Sequence, residues 1–427
     1  MLATIKNSME FGPVAELCYE HVDDRLEARV NNLRLSSEFQ AIYSLSHRKP
    51  IGYEGLLRIC DARNKRINPA HYFSHITEEG EKVRIDRLSR YLHSQNFQRA
   101  GGGDAWLFLN IHPDVILKGL QYGAFFSECL EASGTPASNV VVEILEHSIE
   151  DRGLLNDAVQ YYRDLGCKIA IDDFGAMASN IDRLWSIEPD IVKLDHSLAA
   201  ELEKPSVRRI LPSLVSMINE CGSLVLMEGV ETEDQALMAI DSGVDFLQGY
   251  CFARPSKDLR CEASGKCIGE DGSHLSNLCN QYHSYVFERQ RRHDDALGKY
   301  MLPFEVAARE HAFAGSPAEF EGILSLSGVE RCYILDEKGF QVSGTFYPDG
   351  HEAMFPSRFG HVSDGEGSTW FRRHYFRRSL HEPEKVHHSR PYLSMTGGII
   401  CKTLSICLTT TDGDTRIYCC DIDWSDF

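Results

Sequence analysis

Two adjacent aspartates, Asp172 and Asp173, close the apolar run KIAIDD. Like charges at the end of a buried strand repel in a low dielectric, so this pair calls for cations. Other short apolar runs in the first 250 residues also end in polar side chains, at Glu54, Asn110, Glu143, Lys193, Glu228 and Gln248. The oxygen donors Glu54, Asn110, Glu143 and the aspartate pair suit magnesium or manganese rather than zinc. Two such ions about 4 Å apart can stabilise both the attacking and the leaving oxygen of a phosphodiester displacement, and they acidify the attacking water. Lys193 adds a cation that can position hydroxide or a phosphate oxygen, and Glu228 can orient water or support the metal shell. Gln248 offers a neutral donor and acceptor. Arg58 follows Glu54 on the same face of an extended run, and its guanidinium fork matches a phosphate. Taken singly, each residue reads as a strand-end salt bridge; the whole set at the ends of successive runs does not.

The elements that must position these residues are short. WLFLNI, VVVEI, KIAIDD, DIVKLD, LVLMEG and FLQGY are rich in branched or aromatic residues, as buried strands are. Helical text falls between them, including VRIDRLSRYLHSQNF, RGLLNDAVQYYRDLG and SVRRILPSLVSMINECG, where Pro212 predicts a kink or restart. Gly166, Gly222 and Gly243 stand at the expected helix C-caps. Strands alternating with helices pair in parallel, and in a closed parallel barrel every carboxyl end opens on one face. FQAIYSL and IGYEGLLR, joined by the turn SHRKP, read instead as an antiparallel hairpin, so the α/β barrel is expected not to be fully parallel. Upstream, Val14, Leu17, Val22, Leu26, Val30 and Leu33 recur near the helical period and predict a helical arm over residues 1–35.

Beyond the barrel, the text from Ala253 to Gly272 turns polar and glycine-rich, as a linker does. A long helix follows, to about Met301, with Leu275, Leu278, Tyr282, Tyr285 and Val286 on one apolar stripe that could meet a partner chain. RCYILDEKGFQVSG and KTLSICLTTTDGDTRIYCCDIDW predict a small antiparallel sheet with turns at Glu337–Gly339 and Asp412–Gly413. The expected division is an arm at 1–35, a barrel at 36–256, a linker and long helix at 257–301, and a smaller α+β domain at 302–427.

Composition narrows the function classes. The 427 residues are 43% apolar and carry a formal charge of −19, the wrong sign for a nucleic acid duplex or an anionic membrane. There is no apolar run of about eighteen residues and no secretory core at the N-terminus, which predicts a cytoplasmic protein. The 14 cysteines are scattered without a CxxC pair and read as buried free thiols. His387 and His388 lack metal-site spacing and read as a solvated loop pair.

In order along the chain, EGLLR, FLNIHPD, VVEILE, IDDFG, DIVKLD, MEGVE and QGY closely resemble the motifs of the EAL-domain family, bacterial phosphodiesterases for cyclic di-GMP. The resemblance runs from about Phe39 to Pro255. It implies a modified TIM (β/α)8 barrel with one antiparallel strand. It implies two Mg2+ or Mn2+ ions held by Glu54, Asn110, Glu143, Asp172 and Asp173, with Lys193 near the hydrolytic water and Glu228 supporting the metal site. It further places Arg58, Gln248 and Gln40 at the substrate, and makes Glu146 and Asp195 the anchors of the loop after the aspartate pair. The implied reaction is hydrolysis of cyclic di-GMP to linear pGpG by a homodimer.

Two departures stand out. Gly55 replaces the alanine of the family's eponymous triplet. Met177 stands in DDFGAM where the family usually has DDFGxG, and methionine adopts a positive φ less readily than glycine. That second change raises the alternative of a receptor that binds cyclic di-GMP without efficient cleavage and signals to a protein partner. RPYLSMTGG, the KTLSICL run and the terminal CCDIDW resemble PAS or Cache-type sensor domains, which implies a regulatory unit open to a small-molecule ligand.

Overall fold

The computed structural model describes residues 11–21, 23–112, 125–145, 152–176, 181–259, 273–349, 365–394 and 398–425. It divides into two units, Met1–Val286 and Phe287–Phe427. The first contains β1 (Cys18–Glu20), β2 (Leu26–Val30), β3 (Leu33–Ser44), β4 (Lys49–Cys60), β5 (Arg66–Ile67), β6 (Trp106–Asn110), β7 (Val140–Leu145), β8 (Lys168–Phe174), β9 (Ile191–Leu194), β10 (Leu224–Met227) and β11 (Phe246–Leu247). Eight of these close into a ring in the order β3-β11-β10-β9-β8-β7-β6-β4, sealed by pairing of β3 with β4. The turn between Ser44 and Lys49 is too short for a crossover, so β3 runs antiparallel to β4 and also to β11. The other neighbours in the ring are parallel.

Strand alternation explains how the ring is filled. Ile42, Phe108, Val141, Ala170, Ile191, Leu226 and Phe246 form one buried cluster inside the barrel. Their sequence neighbours, such as Leu107, Leu109, Val140 and Val142, point outward into the larger core shared with the helices. Gly52 occupies the inner layer on β4, where a Cβ would come within 2.8 Å of the Phe108 ring. A side chain at that position would displace the plug.

Among the described residues the expected helical arm does not form, and residues 1–10 of it lie outside them. Phe11–Ala15 is a short helix, and the following text becomes β1 and β2, stacked on β3 in antiparallel register. The spacing of Leu26 and Val30 fits a helix, but Leu26, Ala28 and Val30 also alternate, and all three are buried. A tight turn with Asn31 at φ +54° then directs the chain back into β3, a conformation asparagine tolerates. Pro212 does not break its helix, which runs from Pro205 to Glu220 as one element. Gly166, Gly222 and Gly243 take positive φ just past helix ends, as expected. No helix among the described residues is long and apolar enough to cross a membrane.

The helix Ser273–Ala314 begins in the first unit and ends in the second. Leu275 and Leu278 belong to the barrel's outer core, so part of the apolar stripe is already covered within this chain. In the second unit, β12 (Val329–Asp336), β13 (His387–His388), β14 (Tyr392–Leu393), β15 (Ile400–Thr409) and β16 (Thr415–Asp423) form an antiparallel sheet in the order β12-β16-β15-β13, with β14 also on β15. One face, including Ile334, Ile406 and Tyr418, packs with Phe304 and Ala308 of the long helix. The other, including Tyr333, Ile417 and Cys419, packs with Tyr375 and Phe376 of the helix His374–His381. His387 and His388 are therefore strand residues rather than a loop pair. His387 is buried, with its Nε2 3.0 Å from the Glu382 carbonyl oxygen. The described cysteines are free thiols, and those of the sheet are buried.

Candidate active site

The apolar plug dictates where the polar residues stand. On each parallel strand, the residue two positions after a plug residue faces inward again, one layer nearer the carboxyl end. Phe108, Val141, Ala170, Ile191, Leu226 and Phe246 lead in this way to Asn110, Glu143, Asp172, Lys193, Glu228 and Gln248. On antiparallel β3 the direction reverses, and Gln40 precedes Ile42. Gln40 lies directly opposite Glu54 of β4. Each of the eight ring strands thus delivers one polar side chain to the same layer.

Lys193 sits at the centre, 1% exposed. Its Nζ lies 2.5 Å from Glu143 Oε1, 2.6 Å from Glu228 Oε1, 2.9 Å from Asp172 Oδ1 and 3.9 Å from Glu54 Oε1. Asn110 donates to Glu54 Oε1 at 2.9 Å, and Gln248 donates to Glu54 Oε2 at 2.8 Å. Gln40 donates to the Ala253 carbonyl at 3.1 Å and accepts a longer bond from Gln248. Glu54 is therefore oriented by two amides before any ligand enters.

The charges do not balance. Glu54, Glu143, Asp172, Asp173 and Glu228 bring five carboxyl groups against the single ammonium of Lys193. Burial raises Glu143 well above the usual carboxylate range, and Glu54, Asp172 and Glu228 add to this against the opposing pull of Lys193. Burial likewise carries Glu228 up to about 8, with Lys193 opposing and Asp172 and Glu54 adding. For Lys193, burial favours the neutral amine, but Asp172, Glu143, Glu228 and Glu54 outweigh it and hold the ammonium well above its ordinary range.

Asp173 adopts φ +56°, which turns it out of regular strand alternation. Its amide donates to Asp172 Oδ1 at 3.1 Å. Burial, then Asp172 and Asp195, push its carboxyl up to about 6. Carboxylate oxygens of Asp172, Asp173 and Glu228 all lie within 4.8 Å of one another. Buried Glu143 Oε2 has no hydrogen-bond partner among the described residues. An oxygen-rich cage with excess negative charge and an unsatisfied carboxylate oxygen fits divalent cations. Glu228, read from sequence as a supporting residue, belongs geometrically with the aspartate pair.

Arg58 faces the same side of β4 as Glu54 but lies apart from the cage. Its Nε donates to Glu38 Oε2 at 2.7 Å, and Glu38 Oε1 accepts from Arg66 at 2.7 Å. Sequence reading passed over Glu38, although its place two residues before Gln40 on β3 puts it on the inner face. It also passed over His93, buried behind the site on the helix Glu79–Arg99, with its Nδ1 2.8 Å from Ser37 Oγ and its Nε2 2.9 Å from Ser89 Oγ. A Cβ at Gly55 would come within 2.9 Å of the His93 ring, so the glycine in place of alanine makes room for an imidazole. Asp195 caps the helix His196–Ala200 by accepting from Ser197 N at 3.0 Å, and its other oxygen is 2.7 Å from His196 Nδ1. Glu146 and Met177 lie outside the described residues.

A closed barrel with one antiparallel strand and an acidic cage at its carboxyl end defines an α/β barrel protein with a divalent-cation type of site. The EAL domain family matches residues 23–255, more than half of the sequence, and the chain belongs to it. Among relatives, the uncharacterized EAL-domain protein YkuI of Bacillus subtilis is 27% identical over 358 residues, 80% of this chain and 83% of YkuI. Cyclic di-GMP phosphodiesterase RocR of Pseudomonas aeruginosa is 30% identical over 232 residues, which are 52% of this chain and 58% of RocR. The crystal structure of Bacillus subtilis YkuI, in complex with substrate c-di-GMP and calcium, superimposes with a TM-score of 0.76 at 23% identity. That match covers 92% of this chain and 96% of YkuI, so the fold likeness extends through both units.

Proposed function

We propose that the barrel hydrolyses cyclic di-GMP to linear pGpG. The observation that carries this reading is the convergence of four carboxyl groups on Lys193, with Asp173 beside two of them, at the mouth of an EAL-family barrel. Relatives named cyclic di-GMP phosphodiesterases supply the substrate class. Glu54, Asn110, Glu143, Asp172 and Asp173, with Glu228 beside the pair, would hold two Mg2+ or Mn2+ ions. Bound there, divalent cations supply charge neutralisation for the phosphodiester and a more acidic water. Lys193 keeps a permanent charge beside the reacting phosphate and restrains the hydrolytic water. Gln248 and Asn110 hold Glu54 in one orientation, with Gln40 bonded to Gln248, so little reorganisation is needed when the substrate arrives. Arg58, held in place by Glu38, presents its fork to a phosphate oxygen. The second unit, which the helix Ser273–Ala314 enters from the first, would regulate turnover.

Met177 favours a second reading, in which the same site binds cyclic di-GMP without efficient cleavage. One assay separates the two. Purified protein is incubated with cyclic di-GMP and magnesium or manganese, and the products are resolved by chromatography, with Asp172→Asn as the control. Formation of pGpG by the native chain alone supports the enzyme. Saturable binding with intact cyclic dinucleotide after many site equivalents of incubation time overturns it in favour of the receptor.

A further inference from the structure

Arg331 and Asp421 form a buried ion pair in the second unit, 6% and 1% exposed. Arg331 Nε donates to Asp421 Oδ2 at 2.7 Å. Asp421 Oδ1 accepts from Thr403 at 2.7 Å and, at 3.4 Å, from Tyr333 and Tyr392. The carboxylate is thus saturated, while the arginine is not. A buried guanidinium that served only this pair would be expected to meet the carboxylate with two nitrogens. Here Nε alone is used, and the terminal nitrogens have no hydrogen-bond partner among the described residues.

A second guanidinium converges on the same cluster. Arg373 lies 4.6 Å from the Tyr392 ring centroid and 6.0 Å from that of Trp370, and Arg331 lies 5.9 Å from the same Trp370 ring. The side chain of Arg373 makes no hydrogen bond or ion pair among the described residues. Two guanidinium groups therefore share one indole, and a single carboxylate, already saturated, stands against them. One positive charge is left over in a chain whose formal charge is −19. This is the reverse of the imbalance in the barrel.

We propose that this cluster binds a small organic carboxylate. The ligand's carboxylate would take the open guanidinium edges of Arg331 and Arg373, which match its planar geometry and cancel the surplus charge. Its apolar body would lie against Trp370 and Tyr392. Thr403, Tyr333 and Tyr392 hold Asp421, and through it Arg331, so that the receiving side chains are set before binding. The proposal does not depend on the activity of the barrel.

The test is thermal melting of the full chain in acetate, benzoate and L-glutamate, at ionic strength matched with sodium chloride and with inorganic phosphate as a further comparison. At least one carboxylate is expected to raise the midpoint saturably, by about 2–4 °C at a hundredfold excess over its Kd. Arg373→Gln, at a partly exposed position, is expected to abolish the response, and Arg373→Lys to weaken it. Asp172→Asn in the barrel should leave the response unchanged. Isothermal titration of the responding compound should give one site in the native chain and none in Arg373→Gln. The proposal is overturned if no carboxylate shifts the midpoint saturably, if the shift survives Arg373→Gln, or if phosphate reproduces it.

Discussion

The barrel mouth and the Arg331–Asp421 cluster both bury charge, and they resolve it differently. Around Lys193, carboxyl groups outnumber cations, amides orient one of them, and Glu143 Oε2 is left without a hydrogen-bond partner among the described residues. Around Asp421, the carboxylate is saturated by one guanidinium and three hydroxyls. Burying an ion pair is costly and seldom improves on an apolar core, so the presence of a pair says little about function. The charge remaining after all partners are counted says more. Five carboxyl groups on one ammonium are built to receive cations, whereas Asp421 itself asks for nothing further.

The largest way to break this contrast is to neutralise a member of the barrel set. Asp172→Asn keeps the volume and removes a charge from the side that would hold cations. In a product assay with manganese, kcat/KM should fall at least about 10³-fold, equivalent to about 4 kcal/mol of transition-state stabilisation. A decrease of only a few-fold would mean that the surplus charge has no catalytic purpose.

Removing one partner from each region compares them directly. Lys193→Met leaves the carboxyl groups facing one another, and Asp421→Asn leaves Arg331 without its counter-charge. In urea denaturation with chelator, each should lose about 3–5 kcal/mol. Manganese should restore much of the loss in Lys193→Met, because the cations take over the work of the ammonium. It should restore none in Asp421→Asn. Equal responses of the two variants to manganese would erase the distinction.

Much of the barrel site was legible because a plug residue and a polar residue two positions later repeat on strand after strand, from Phe108 and Asn110 to Phe246 and Gln248. Period-two alternation with one polar residue at the end is a local pattern. The arm before β3 was misread for the same reason inverted. Leu26 and Val30 satisfy a helical spacing, and only their burial beside β3 selects the strand. His387 was misread because its partners, β15 and the Glu382 carbonyl, are tertiary. Glu38 and His93 escaped notice because their importance lies in what they touch. Arg331, Arg373 and Asp421 are far apart in sequence, and no local periodicity connects them.

His93 shows a third way to bury an ionisable group, which is to keep it neutral. Burial first, and the nearby charge of Arg58 second, lower its pKa from 6.5 to about 3. Between those values the unfolded chain binds a proton that the folded chain refuses. Stability therefore rises with pH through this window, is complete above about 6.5, and is lost progressively as the pH falls towards 3. From pH 6.5 to 5 the loss attributable to His93 should be about 2 kcal/mol. His93→Gln should flatten that limb in urea titrations, whatever it costs at neutral pH. An unchanged acid slope would show that His93 is not held neutral by the fold.

The smallest effect is expected at Arg58, whose charge is already satisfied by Glu38 at 2.7 Å. Because Glu38 is shared with Arg66, loss of Arg58 does not strand a buried carboxylate, and the fold should tolerate Arg58→Ala. A phosphate contact away from the Lys193 cage stabilises the bound ground state and the transition state alike, so KM should rise about tenfold with kcat nearly constant. Equilibrium binding of cyclic di-GMP in calcium, measured by isothermal titration, should weaken by a similar factor. A loss confined to kcat would place Arg58 among the groups that act on the reacting atoms, and the division between a charged cage for chemistry and an outlying fork for grip would have to be redrawn.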